Sequence, residues 1–379
     1  MIKIKRRLKI LLGLSAVLAL AALYLLNPRL PTPAGAQSAS VYESGTLGVA
    51  RQAIDWLDTS RQTNQNGAFA GSPTRELTGL IWYPQTRSQA PFPLIVYSHG
   101  FMSSVSEAQY LVDFLVPKGY VVVAVNYPLS SGGAPGGPNV NDVINQPGDV
   151  SFVLDQLLAR NADENDSLYG LVDPSRIAAV GLSLGGLTTQ LAAFHRDLRD
   201  ARLSVAVSIA GPSIFLEPKF FETSDIPFMM IAGSADAIVP YNDNAAPIPA
   251  KSQRSLLVTL DKGSHVGFAN IASVFLRWFR HPDRLACPIL LAGLDREGSE
   301  AESILAIDRD IGVSTAVSQP CAMETFDRAM RPGEQQMLTR LALYAFLEQT
   351  FAPNADRRQQ MASYLSSGLT VENPAATVN

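Results

Sequence analysis

Seven short apolar runs, spread over residues 77–260, constrain this chain more than any other feature. They are LTGLIWY (77–83), FPLIVYS (92–98), YVVVAVNY (120–127), RIAAV (176–180), LSVAVSIA (203–210), PFMMIAG (227–233) and SLLVTL (255–260). Most are continuous and β-branched rather than alternating, which suits strands covered on both faces. Helical periods lie between them. The expected fold is therefore α/β, a mostly parallel central sheet with helices on both faces. One helix is expected over 106–116, opened by a capping box from Ser104 to Glu107 and stopped by Pro117 and Gly119. A second is expected over about 150–160. No internal repeat is visible. Residues 352–379 are polar and read as a loosely packed C-terminal tail.

Composition excludes several classes. With 47% hydrophobic and 17% charged residues the chain is globular, not disordered. Its net charge is -4, and no Lys/Arg-rich run occurs outside the extreme N-terminus, so no nucleic-acid partner is expected. Four histidines and two cysteines without HExxH or CxxC spacing give no reason to expect a metal.

The N-terminus reads separately. MIKIKRRLK carries five positive charges and is followed by an apolar run over residues 10–26, then by Ala34-Gly35-Ala36, a small-residue cleavage pattern. Residues 1–36 are thus a signal peptide, or an N-terminal membrane anchor through residues 10–26. Both outcomes export the rest of the chain, because the positive charges stay inside. The protein would be periplasmic or secreted, or anchored to the inner membrane with its catalytic domain (37–351) outside the cytoplasm.

The chemistry sits where the fourth run meets a helical period, at Gly181-Leu182-Ser183-Leu184-Gly185. A serine hydroxyl is a poor nucleophile at neutral pH and needs a base within reach and donors for the oxyanion that forms. A sharp strand-to-helix turn exposes the hydroxyl of Ser183 and aims the next backbone N–H, that of Leu184, at the same place. The crowding of such a turn accounts for the glycines. The second run ends in YSHGF, where a loop can offer the Phe101 N–H as the other oxyanion donor, with His99 bracing it. Asp236 follows the PFMMIAG run and can orient an imidazole. His265 follows SLLVTL and can be the base. Asp261 and Asp225 are the competing carboxylates: Asp261 leaves its strand four residues before His265, and Asp225 precedes its strand, at the wrong end of the sheet. His195 reads as a cation at a helix C-terminus and His281 as a surface loop residue.

The order Ser183, Asp236, His265 resembles that of the α/β-hydrolase superfamily. More narrowly, PLIVYSHGF, GYVVVAVNYP, VDPSRIAAVGLSLGG, IPFMMIAGSADAIVP and GSHVGF resemble the dienelactone hydrolase-like and platelet-activating-factor acetylhydrolase-like serine esterases. The resemblance spans about 77–268 and the last helix, EQQMLTRLALYAFLEQTF. It implies an α/β-hydrolase fold with Ser183 as nucleophile, His265 as base, Asp236 as orienting acid, and the Phe101 and Leu184 amides as oxyanion hole. It also implies a carboxylic ester hydrolase with no cofactor. Departures are visible. Dienelactone hydrolases have a cysteine nucleophile where this chain has Ser183. Bacterial polyester hydrolases carry His or Trp before the nucleophile, here Leu182, and a tryptophan after the next strand, here AGPSIF. These departures from the polyester hydrolases speak against polyester cleavage; the expected substrate is a small to medium carboxylic ester, small-molecule or lipid. The alternatives are an acyltransferase on the same triad and a non-catalytic binding protein on the same scaffold.

About sixty residues, 269–330, separate His265 from the last helix. That is too long for a plain loop, so an insertion with structure of its own is expected beside the active-site mouth, limiting substrate size. It holds both cysteines, Cys287 and Cys321, which can pair in an exported protein. The acidic stretch 295–310 within it reads as a solvated surface. The loop at 127–142, rich in glycine, reads as flexible and bordering the pocket.

Overall fold

The computed structural model describes residues 13–15, 17, 31–295 and 309–379. The apolar run at 10–26 therefore lies almost wholly outside the described residues, as does most of the acidic stretch at 295–310. Among the described residues no helix is long and apolar enough to cross a membrane.

The described strands are β1 (Val49–Asp58), β2 (Arg75–Pro84), β3 (Phe92–Ser98), β4 (Val121–Val125), β5 (Val172–Leu182), β6 (Val205–Ile209), β7 (Phe228–Gly233), β8 (Ser255–Leu260) and β9 (Ala376–Val378). They form one sheet in the order β1-β2-β4-β3-β5-β6-β7-β8-β9. Strands β3 to β8 are mutually parallel, while β1 and β2 at one edge and β9 at the other run antiparallel to their neighbours. This is the α/β-hydrolase architecture. Each of the seven apolar runs became a strand. In β3, β4, β6 and β7 every residue is buried.

Alternate side chains of those strands feed opposite layers. Ile95, Val122 and Val180 pack with Leu338, Leu341 and Leu343 of the long helix Pro332–Phe351. Leu94, Val96, Val123 and Ile177 face the other way, onto Val150, Val153, Leu154 and Leu157 of helix Gln146–Ala162. Burying such a side chain stabilises the fold by roughly 1.5–3 kcal/mol. Two covered faces leave the C-terminal ends of the parallel strands as the open rim, where loops can carry function.

Several expectations need correction. The first and last strands carried no apolar run: β1 shows an edge pattern of exposed and half-buried residues but pairs with β2 from Val49↔Pro84 to Asp58↔Arg75. The tail is not loose. Asn354 caps helix Ala355–Ser363 through the Asp356 and Arg357 amides. Met361, Tyr364, Leu365 and Leu369 are buried, and β9 extends the sheet beside β8. Those four residues share one helical face, a spacing that the polar composition hid. The capping box does not form. The helix runs Gln109–Leu115 without a side-chain cap, and Glu107 instead turns back to accept from the Gly100 amide and the Tyr97 hydroxyl. The glycine-rich loop at 127–142 is pinned rather than flexible. Asn66 donates to the Pro135 and Gly137 carbonyls, and buried Arg75 grips Asp142 together with Asp149.

The insertion has structure of its own: a π-helical turn at Ala272–Leu276, helix Asp283–Asp295 and a 3-10 turn at Arg309–Ile311. Cys287 and Cys321, 34 residues apart, form a disulfide.

Candidate active site

Ser183 stands between β5 and helix Leu184–Phe194 with φ 56° and ψ -121°, a conformation that a non-glycine residue holds only when its surroundings impose it. The imposition is visible in the backbone. The Ser183 amide donates to the Ile209 carbonyl at 2.8 Å, and the Ser183 carbonyl accepts from Gly186 at 2.8 Å. A Cβ on Gly181 would run into the Gly185 carbonyl, and one on Gly185 into the Ser98 carbonyl. Glycine on both flanks is what lets the turn close.

The loop after β3 presses on this turn. A Cβ at Gly100 would lie 3.2 Å from Ser183 Cβ and 3.3 Å from the Leu182 carbonyl oxygen. Two side chains hold the loop. Glu107 accepts from the Gly100 amide at 2.9 Å and from the Tyr97 hydroxyl at 2.9 Å. Burial pushes its carboxyl up, against the hydrogen bonds from Ser103, Gly100 and Tyr97. His99 is wholly buried: its Nδ1 lies 2.8 Å from the Gly100 carbonyl, and its Nε2 accepts from the Tyr127 amide at 3.1 Å. Burial pulls its pKa down to about 4, so it is neutral and acts as a brace. Met102 adds a second strained position, φ 61°, just beyond Phe101.

Asp236 and His265 meet across the ends of β7 and β8. His265 Nδ1 lies 2.7 Å from Asp236 Oδ2. The other carboxylate oxygen accepts from the Ile238 and Val239 amides at 2.9 and 2.7 Å, which fixes its rotamer. An ionised carboxylate only accepts, so Nδ1 carries the proton and Nε2 is free to act as a base. Burial opposes charge on the imidazole, but the carboxylates of Asp236, Asp283 and Glu107 outweigh it and hold His265 above its ordinary pKa. Burial likewise pushes Asp236 up, against the pull of His265. The competing carboxylates are elsewhere: Asp261 meets the Ser234 hydroxyl, and Asp225 pairs loosely with Arg254 on the surface.

Ser183, Phe101 and His265 line one cavity of about 1090 Å³. One part of its wall is polar, with Thr78, Ser103, Asn126 and Ser131. Another is apolar and belongs to the insertion, with Ile271, Phe275 and Ile289. Among the described residues no cluster of His, Cys, Asp or Glu is arranged to hold a metal ion.

Two residues escaped the sequence reading. His281 is not a surface residue: it is 3% exposed, its Nε2 lies 3.1 Å from the Ala235 carbonyl, and its ring packs edge-on to Phe326. Asp283, fully buried, accepts from the amides of Ala237, His265 and Val266. Both lie in RHPDR, whose charges look like those of a surface turn. An aspartate at a helix start four residues before a cysteine was the available signal.

Residues 77–281 match the family of PET hydrolase-like proteins. Two curated relatives are similar. A bis(hydroxyethyl) terephthalate hydrolase of Streptomyces coelicolor is 26% identical over 286 residues, covering 70% of this chain and 81% of the relative. A cutinase of Thermobifida alba is 26% identical over 200 residues, 49% of this chain and 57% of the cutinase. Among solved structures, a ferulic acid esterase from Streptomyces cinnamoneus superposes with a TM-score of 0.51 at 15% identity, over 89% of this chain and 98% of the esterase. At that identity the likeness is one of fold.

Proposed function

Because the chain belongs to the PET hydrolase-like family of serine esterases, within the α/β-hydrolases, we propose that it hydrolyses a small to medium carboxylic ester through an acyl-enzyme on Ser183. Ser183 attacks the ester carbonyl as His265 Nε2 takes its proton. Asp236 keeps the proton on Nδ1 and stabilises the imidazolium that forms. The Phe101 and Leu184 amides donate hydrogen bonds to the carbonyl oxygen as it takes up negative charge, and losing one such donor typically costs roughly 10²–10³ in rate. The C–O bond breaks as His265 protonates the leaving alcohol. Water then attacks the acyl-enzyme by the same route and releases the acid. The observation that carries this reading is the 2.7 Å contact between His265 Nδ1 and Asp236 Oδ2, in a site whose cavity also holds Ser183 on a strained turn.

The named activities of the relatives, on bis(hydroxyethyl) terephthalate and as a cutinase, support an ester with an apolar acid part. The insertion side chains Ile271, Phe275 and Ile289 offer a wall for such a group. A panel of p-nitrophenyl esters of rising chain length, with bis(hydroxyethyl) terephthalate beside it, tests this. Hydrolysis that disappears in Ser183→Ala supports the reading; equal turnover by Ser183→Ala contradicts it. Product analysis with added alcohol separates hydrolysis from acyl transfer. Export fits the same picture: five cations precede an apolar run at the N-terminus, and the disulfide suits an oxidising compartment.

A further inference from the structure

We infer that Asp283 is a positioning residue for the active site, fixing where His265 and Asp236 stand. The inference rests on the catalytic reading just given. The family match ends at residue 281, so this group lies beyond the part of the chain that the family defines.

The geometry is that of a keystone. Asp283 Oδ2 accepts from the Ala237 amide at 3.1 Å and from the His265 amide at 2.9 Å, and Oδ1 accepts from the Val266 amide at 2.8 Å. One buried carboxylate thus ties the backbone on the far side of Asp236 to the backbone of His265 itself. Three amides at a buried site need partners, and leaving even one unsatisfied costs about 1–3 kcal/mol of desolvation elsewhere in proteins. The rest of the turn grips the same loop from its other end: His281 Nε2 meets the Ala235 carbonyl, so Asp236 is bracketed by contacts at residues 235 and 237. The Cys321 amide donates to the Ala237 carbonyl at 2.6 Å, and its disulfide partner Cys287 sits one helical turn beyond Asp283. The two loops also meet directly, the Ala235 amide donating to the Gly263 carbonyl and the Lys262 amide to the Ser234 hydroxyl, but those contacts stop short of residue 265; Asp283 adds the tie that reaches the His265 and Val266 amides. Asp236 holds the His265 ring at Nδ1, and a ring contact does not set where the backbone of residue 265 lies.

Asp283 also acts through its charge. The titratable groups that bear on His265 are Asp236, Asp283 and Glu107, each raising its basicity; His281 is the next such group on the turn. Removing the Asp283 charge lowers the pKa of His265, so the acid limb of the rate profile moves to lower pH. The acid limb thus reports the charge of Asp283, while the split between kcat and KM reports its positioning role.

The test uses Asp283→Asn and Asp283→Ser in the full-length protein, with kcat and KM on a p-nitrophenyl ester per site titrated by a fluorophosphonate. Displacement of a catalytic group by about 1 Å can cost roughly 10²-fold, so kcat per titrated site is expected to fall roughly 10- to 100-fold in both variants. KM should stay within about twofold, since Asp283 does not line the cavity. In Asp283→Asn the acid limb of kcat/KM should shift down. Normalising to titrated sites removes any unfolded fraction from the comparison. Wild-type kcat per site in both variants overturns the inference, whether or not the acid limb moves. Ser183→Ala runs beside them: if it keeps activity the catalytic reading fails, whereas a dead Ser183→Ala beside fully active Asp283 variants sinks only the brace.

Discussion

The Cys321 amide donates to the Ala237 carbonyl at 2.6 Å, so the Cys287–Cys321 disulfide ends beside the residue that follows Asp236. A crosslink between two parts of the insertion is thereby fastened to the loop that carries Asp236.

Removing the crosslink should therefore affect both stability and rate. A disulfide closing a loop of this length stabilises by about 2–4 kcal/mol, chiefly by restricting the unfolded chain. The double variant Cys287→Ser/Cys321→Ser should lose about that much unfolding free energy and so unfold at a lower urea midpoint, and its kcat should fall. Matching urea midpoints for the variant and the wild type would contradict this.

The choice of carboxylate has its own consequence. Asp236→Asn keeps a hydrogen bond to His265 but favours the wrong imidazole tautomer, which in serine hydrolases of this logic lowers kcat by roughly 10⁴. Asp261 meets only Ser234 among the side chains described around it, so Asp261→Asn should keep wild-type kcat. The reverse pattern in steady-state kinetics would move the acid to Asp261.

The rate should depend on pH with a defined sign. In the proposed mechanism His265 must be neutral to take the serine proton, and neighbouring carboxylates hold its pKa above the ordinary 6.5. Activity is thus lost as pH falls through a value above 6.5 and rises toward the alkaline side. An acid limb of kcat/KM below 6.5 would show that Asp236, Asp283 and Glu107 do not govern the base.

The apolar wall should set chain-length preference. Phe275 and Ile289 line the cavity yet are 59% and 62% exposed, so truncating either costs the fold little. Losing about 1 kcal/mol of apolar contact corresponds to about fivefold in binding. Phe275→Ala and Ile289→Ala should raise KM for a p-nitrophenyl octanoate about that much and leave the acetate unchanged. A fall in KM for the octanoate would mean that the insertion restricts the cavity instead.

The sequence carried the parallel sheet because its strands are buried on both faces, and continuous apolar runs such as VVVAV at Val121–Val125 have few other uses. It carried Ser183, Asp236 and His265 as positions because each follows a strand run, where the open rim of a parallel sheet must lie. It did not carry β1, where Arg51, Gln52 and Asp55 break the apolar pattern of an edge strand. Glu107 was misread because its spacing from Ser104 fits a capping box equally well, whereas the loop folds back so that the carboxylate takes the Gly100 amide seven residues earlier. Asp283 was missed because its contacts are remote in sequence. Its three partners lie 17 to 46 residues away, and no local pattern encodes an acceptor for remote backbone.

The central claim is that Ser183 is the nucleophile, and covalent labelling addresses it most directly. The wild-type protein is treated with a serine-reactive fluorophosphonate, digested and mapped by mass spectrometry. The expected result is one modified residue, Ser183, with labelling that tracks the loss of esterase activity and is absent in Ser183→Ala. Modification of another residue, or equal labelling of Ser183→Ala, would contradict the account.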